Sequence, residues 1–190
     1  MNLAITRSDS NESGLYGMAF GPTPTISPEW RDFSIESCGA ENLPNGVEAV
    51  VEWDSYWAPT KSGDLLPEQR SSDQVIDEFL RTHAPHSSVF PGADEILKWI
   101  EIFEGDQLLG VAALCRWQSG RIVISSVATH LDHRGKGVGK RLMESALVAG
   151  DQLGEKFLSL GVMHTNESAQ RLYAATGFTL MHNFTYCERR

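Results

Sequence analysis

The apolar positions change period once, between residues 122 and 153. Ile122-Val123-Ile124-Ser125-Ser126-Val127-Ala128-Thr129 is rich in β-branched residues and follows a turn-forming Gly120, which predicts a strand. Further on, Val138, Leu142, Ala146, Leu147, Ala149 and Leu153 recur at helical spacing, while Lys140, Arg141 and Glu144 lie off that face. The unit therefore reads as strand, loop and helix. Gly135, Gly137 and Gly139 alternate in the loop, so its backbone can turn tightly and come close to a ligand. The first amides of the helix that follows have no intrahelical acceptor, and such a helix start attracts a phosphate or pyrophosphate.

The same patterning predicts the remaining elements. Val47 to Trp53 alternates in part and reads as a strand, with Asp54-Ser55-Tyr56-Trp57-Ala58-Pro59 opening a loop through Asp64. Asp73 to Thr82 places Val75, Ile76, Phe79 and Leu80 on one face behind a Ser72 or Asp73 cap, which predicts a helix ended by Pro85 and Pro91-Gly92. Ile96 to Phe103 and Gln107 to Trp117 form a hairpin across Glu104-Gly105-Asp106, and Gln118-Ser119-Gly120 turns the chain into the strand from Ile122. Lys156 to Val162 is mostly apolar and is expected to be a strand buried on both faces. Asn166 to Thr176 reads as a helix with Ala169, Leu172 and Tyr173 on one face and Gly177 at its end, and Phe178 to Glu188 as a final β segment. Residues 1–46 are weakly patterned, with short strands expected at Leu3 to Thr6 and Phe33 to Glu36.

Composition narrows the function classes. The chain has 190 residues, 41% of them apolar, enough for one domain with a sizeable core. A net charge of −9 argues against nucleic-acid binding, which needs a basic surface to neutralise phosphates. No run approaches the roughly 20 apolar residues of a membrane span, and Met1 to Arg7 lacks the pattern of a signal peptide, so a cytoplasmic protein without a membrane partner is expected. Cys38, Cys115 and Cys187 are odd in number and widely spaced, which argues against a disulfide framework and a zinc knuckle. His83 and His86 flank Pro85 without further ligands at metal-binding spacing, so no metal site is expected; His130 and His133 border the loop and either face phosphate or lie exposed.

Three phosphate-loop patterns compete for residues 134–141. A Walker loop, G-x-x-x-x-G-K-[ST], fails because Arg134 stands at the first glycine and Arg141 follows Lys140. A dinucleotide fingerprint, G-x-G-x-x-G, fails because Lys140 stands at the third glycine, and an antiparallel meander is a poor context for it. The pattern R/Q-x-x-G-x-G/A is satisfied by Arg134, Gly137 and Gly139 between a strand and a helix. After the next strand, Asn166-Glu167-Ser168-Ala169-Gln170-Arg171-Leu172-Tyr173, ending in Gly177-Phe178, satisfies N-x-x-A-x-x-L-Y-x-x-x-G-F. In these two motifs, at this order and spacing, the chain resembles the GNAT superfamily of acyl-CoA-dependent N-acyltransferases over about Ile96 to Phe178.

The resemblance implies an α+β fold: a mixed, mostly antiparallel, splayed sheet flanked by helices, as one globular acetyltransferase domain over 47–190 with an atypical N-terminal extension over 1–46. It implies acetyl-CoA as co-substrate and a primary amine of a small molecule or peptide as acceptor, with direct attack in a ternary complex. The amides of Gly135, Lys136, Gly137, Val138, Gly139 and Lys140 would bind the coenzyme A diphosphate, with charge added by Arg134 and Lys136. Val127, Ala128 and Thr129 would present a strand edge to the pantetheine arm, the Val127 amide would hold the oxyanion, and Asn166 would position the arm or a water. Tyr173 matches the family's general-acid tyrosine.

The base is the point where this chain departs from the family. The strand before the loop offers Ser125 and Ser126 where a glutamate is common, which leaves Glu101, His164, Asp54 or a water relay, with Glu101 preferred. Trp53, Tyr56 and Trp57 with Asp54 would either wall a pocket for a cationic acceptor or pack a core. Only twelve residues follow Phe178, where the family has two strands. The open edge calls for cover by a leader segment such as Leu3 to Thr6 or Phe33 to Glu36, or by a second subunit in a homodimer. The missing base and the unusual leader also suit an alternative, a non-catalytic acyl-CoA-binding or regulatory module.

Overall fold

A computed structural model describes residues 2–9, 12–64, 67–117 and 119–190. The chain order is β1 (Asn2–Asp9), β2 (Glu12–Ala19), β3 (Asp32–Glu36), β4 (Val47–Pro59), α1 (Asp73–His83), β5 (Ile96–Glu104), β6 (Gln107–Arg116), β7 (Ile122–Thr129), α2 (Val138–Gln152), β8 (Phe157–Met163), α3 (Glu167–Ala175) and β9 (Thr179–Arg189). The chain forms two compact units. The first comprises Met1–Ser55, Val162–Glu167 and Leu180–Arg190, and the second Tyr56–Gly161 and Ser168–Thr179.

In the second unit the strand order is β4-β8-β7-β6-β5. β5, β6 and β7 form the expected antiparallel meander, and β7 pairs with β8 in parallel. β6 is the strand buried on both faces: its burial is continuous from Leu108 to Cys115. Val111, Ala113 and Cys115 pack in one cluster with Ile76, Phe79 and Leu80 of α1. Gly110 lets α2 close on the sheet, because a Cβ there would lie 2.8 Å from Leu142 Cδ1 and 2.9 Å from Val138 Cγ1. The Ser72 hydroxyl caps α1 by accepting the Val75 amide. Val75 itself is exposed, against the sequence reading. β8 also departs from expectation. Its buried and exposed residues alternate, with Phe157 42% exposed, because only one of its faces is covered.

In the first unit the order is β1-β2-β3-β9-β4. β3 pairs antiparallel with β9 from Asp32↔Glu188 to Glu36↔Phe184, so the leader segment Phe33 to Glu36 covers the C-terminal strand as expected. Ala19, Trp30, Phe33, Ile35 and Cys187 form this unit's core. β4 continues through Pro59, so Asp54 to Pro59 is strand where the sequence suggested a loop. Buried and partly exposed residues alternate from Trp53 to Ala58, which shows that Asp54 sits in a strand register otherwise filled by apolar side chains.

β7 carries the irregularity that shapes the second unit. Its ladder with β8 holds only Val123↔Ser159 and Ile124↔Leu160, so the two strands part beyond Ile124. On its other side the register to β6 slips between Val111 and Ala113. Ser126, at this slip, has φ of 50°, a left-handed conformation uncommon for residues other than glycine. Its hydroxyl accepts the Val89 amide at 2.9 Å and donates to the Val89 carbonyl at 2.7 Å, which holds the bulge against the loop after α1.

Two substitutions test this packing. Gly110→Ala is expected to destabilise by about 1–3 kcal/mol through overpacking under α2, read as a lower urea midpoint. Ser126→Ala strips a buried amide and carbonyl of their partner and is expected to cost about 1–3 kcal/mol by the same measurement.

Candidate functional site

The second unit assembles the strand, loop and helix. β7 ends at Thr129, the His130 amide donates to the Leu109 carbonyl at 2.8 Å, and Leu131–His133 form a short 3-10 turn. Gly135 and Gly137 have φ of 75° and 83°, so the loop reverses twice within three residues. α2 begins at Val138 with Gly137 as N-cap and no side-chain cap. The first intrahelical bond runs from the Arg141 amide to the Gly137 carbonyl, leaving the Val138, Gly139 and Lys140 amides without an intrahelical acceptor. Their aligned dipoles favour an anion in front of the helix. Gly139 has a different role from its neighbours: a Cβ there would lie 2.9 Å from Leu172 Cδ2, so it lets α3 pack close to this helix start.

The charges around the loop are partly engaged. Arg134 donates through Nη2 to the His83 carbonyl at 2.9 Å, tying the loop to the end of α1. Lys140 lies 3.9 Å from Glu144 one turn along α2. The Lys136 amide donates to the His133 carbonyl, so that amide closes the turn.

Tyr173 is buried in the second unit, its ring 5.9 Å from that of Tyr56 and 6.0 Å from that of Phe178. Burial pushes its hydroxyl up to about 12, so it keeps its proton at neutral pH. Ser126 is committed to Val89. Glu101 on β5 accepts the Arg70 amide at 2.7 Å and the Ser71 amide at 3.1 Å, one with each carboxylate oxygen. It thereby orders the segment leading to the Ser72 cap. Val127, Ala128 and Thr129 lie on the part of β7 beyond its β8 ladder.

The first unit holds the other acid and base candidates. Asp54 is 2% exposed, and its carboxylate accepts the Asn183 side-chain amide at 2.6 Å. It also meets His164 Nδ1 at 3.0 Å. The Asn166 amide donates to the Met163 carbonyl at 2.8 Å in the turn before α3. Trp53 stacks on Phe184 at 4.5 Å and donates to Ser34, which accounts for it as core. The sequence named Asp54 and His164 separately. Their pairing had no signal, because it joins positions 110 residues apart.

Known proteins carry the same elements. The sequence profile of the acetyltransferase (GNAT) family matches residues 55–178, more than half of the chain. The uncharacterized N-acetyltransferase YsnE of Bacillus subtilis is 34% identical over 96 residues, 50% of this chain and 59% of that protein, so the chain matches less than two thirds of its relative's length. A GCN5-related N-acetyltransferase from Sphaerobacter thermophilus has a similar fold, with a TM-score of 0.64, 14% identity and coverage of 99% of this chain and 75% of that one. A GNAT-family acetyltransferase structure from Novosphingobium aromaticivorans gives a TM-score of 0.61 at 19% identity, covering 78% and 70% of the two chains. No helix among the described residues is long and apolar enough to cross a membrane. On the profile match over residues 55–178, the chain belongs to the GNAT acetyltransferase family.

Proposed function

We propose that this protein transfers an acetyl group from acetyl-CoA to a primary amine of a small molecule or peptide by direct attack in a ternary complex. The observation that carries this reading is the uncapped start of α2 behind Gly135 and Gly137, a set of unbonded helical amides beside a strand that has left its ladder. Those features fit a diphosphate joined to an extended arm. The amides of Gly135 and of Gly137 to Lys140 take the diphosphate, while Lys136, whose amide closes the turn, joins Arg134 in adding charge. Val127, Ala128 and Thr129 hold the arm by backbone groups, and the Val127 amide polarises the thioester carbonyl.

The chemistry needs a neutral amine, whereas an alkylamine with a pKa of roughly 10.4 is mostly protonated at neutral pH. Glu101 is the proposed carboxylate for that proton, acting directly or through water, while its two backbone contacts fix its orientation. As the C–N bond forms and the C–S bond breaks, the departing sulfur needs a proton. Tyr173, which stays protonated up to about 12, is the proposed donor. The engagement of Glu101 by two amides is also the observation that favours the second reading, a non-catalytic acyl-CoA-binding module.

Free-thiol release from acetyl-CoA with a panel of amines and peptides separates the two, and mass spectrometry of the products names the acceptor. Turnover on some amine supports the enzyme; binding of acetyl-CoA without turnover on any amine supports the module. Tyr173→Phe is expected to lower kcat by about 10²-fold or more while acetyl-CoA affinity holds, because it removes a proton donor used only as the thiolate leaves. Since burial holds Tyr173 near 12, the wild-type rate should show no alkaline fall from this group between about pH 8 and about pH 10.5, read from a pH–rate profile.

A further inference from the structure

Three histidines close the end of α1 against the turn that opens the loop. The rings of His83 and His130 lie 4.2 Å apart, and His130 meets His133 edge-on at 5.2 Å. His83 Nδ1 accepts the Leu131 amide at 3.3 Å, and His130 Nδ1 accepts the Asp132 amide at 3.3 Å. An imidazole accepts at Nδ1 only when that nitrogen carries no proton, so both contacts require neutral rings protonated at Nε2. The two amides belong to the turn Leu131–His133, and the next residue, Arg134, reaches back to the His83 carbonyl at 2.9 Å.

We propose that neutral His83 and His130 are positioning residues for the diphosphate loop, and that their protonation releases the turn and weakens binding of the anionic acyl-CoA. This rests on the acyl-CoA reading of the loop and adds its regulation by protons. On protonation, each Nδ1 becomes a donor facing a donor, and two like charges come to lie 4.2 Å apart. The groups facing the pair are Phe79 from α1, Asp132 and His133 from the turn, and Arg134 from the loop. Burial, then the charges of His130 and Arg134, hold His83 below its usual 6.5, with Asp132 opposing them. A lowered pKa in the folded loop means that the released state binds more protons. The His83 contact is therefore complete above about 6.5 and is lost as pH falls below it.

The sign separates this role from direct contact. Histidines that simply faced the phosphates would bind the anion more tightly when protonated, whereas histidines that hold the loop bind it less tightly. Calorimetric titration with coenzyme A at about pH 8 and about pH 5.5 reads the difference. The variants are a double His83→Asn, His130→Asn protein, whose amide oxygens can accept at the Nδ1 positions without titrating, and a double alanine protein. The cofactor's own phosphomonoester, with a second pKa of about 6, titrates against every variant alike. Wild-type affinity is expected to fall about tenfold more than that of the asparagine protein over this range. The alanine protein should bind more weakly than the asparagine protein at about pH 8, with circular dichroism showing all three folded. Parallel pH dependences in wild type and the asparagine protein, or tighter binding in acid, overturn the proposal alone. Absence of binding by wild type at both pH values overturns the acyl-CoA reading and this proposal with it.

Discussion

The close seating of the first turn of α2 is the constraint from which the second unit follows. Val138 and Leu142 reach β6 only because Gly110 has no side chain, and Leu172 of α3 reaches the same turn only because Gly139 has none. Cores pack at crystal-like density, so one added carbon at either position has no space to enter. The amides of Val138 to Lys140 are thus aimed by packing on both sides of the helix, and Gly135 and Gly137 bring the chain into that start through left-handed conformations. An anion site built this way is set by backbone geometry first and by side-chain charge second.

On the proposed reading of the loop, that priority explains how an acidic chain would suit an anionic ligand. The protein carries −9 overall, which repels a polyanion at long range, but the effect is screened over about 8 Å at physiological salt. Within the loop, helical amides without an intrahelical acceptor would act at contact distance, where screening is weak. Arg134 also contributes to structure, since its guanidinium holds the carbonyl end of α1, where a cation is favoured by the helix dipole. The loop and the end of α1 therefore form one mechanical piece, tied through His83 and Arg134.

β7 supplies the second constraint. A strand that stayed paired with β8 along its length would have its edge groups occupied. The ladder stops after Ile124, and Ser126 takes a strained backbone conformation held by two bonds to Val89. Strain of about 1–3 kcal/mol persists only where the surroundings over-determine it, and here a buried hydroxyl with both bonds satisfied does so. Of Ser125 and Ser126, the two serines on this strand, Ser126 is thus accounted for as a structural fastener.

By itself the sequence determined the local elements, the loop and the family, because these are written in contiguous residues. Helical spacing marked α1, α2 and α3, turn chemistry marked the β5–β6 hairpin, and two motifs marked Arg134 to Gly139 and Asn166 to Phe178. It also called for cover of the C-terminal strand by Leu3 to Thr6, Phe33 to Glu36 or a second subunit, and of these the tertiary structure places Phe33 to Glu36 on that strand. It misread Asp54 to Pro59, since turn-forming Asp and Pro at the ends of a run outweigh a partial alternation until neighbouring strands supply the hydrogen bonds. Only the tertiary structure decided which face of β8 is covered, that Asp54 is buried and bonded to His164 and Asn183, and that Glu101 orders a loop. It likewise brought His83 and His130 together across a separation that no local pattern records. Such contacts join residues far apart in the chain, and they depend on how close two backbones come, a distance set by packing.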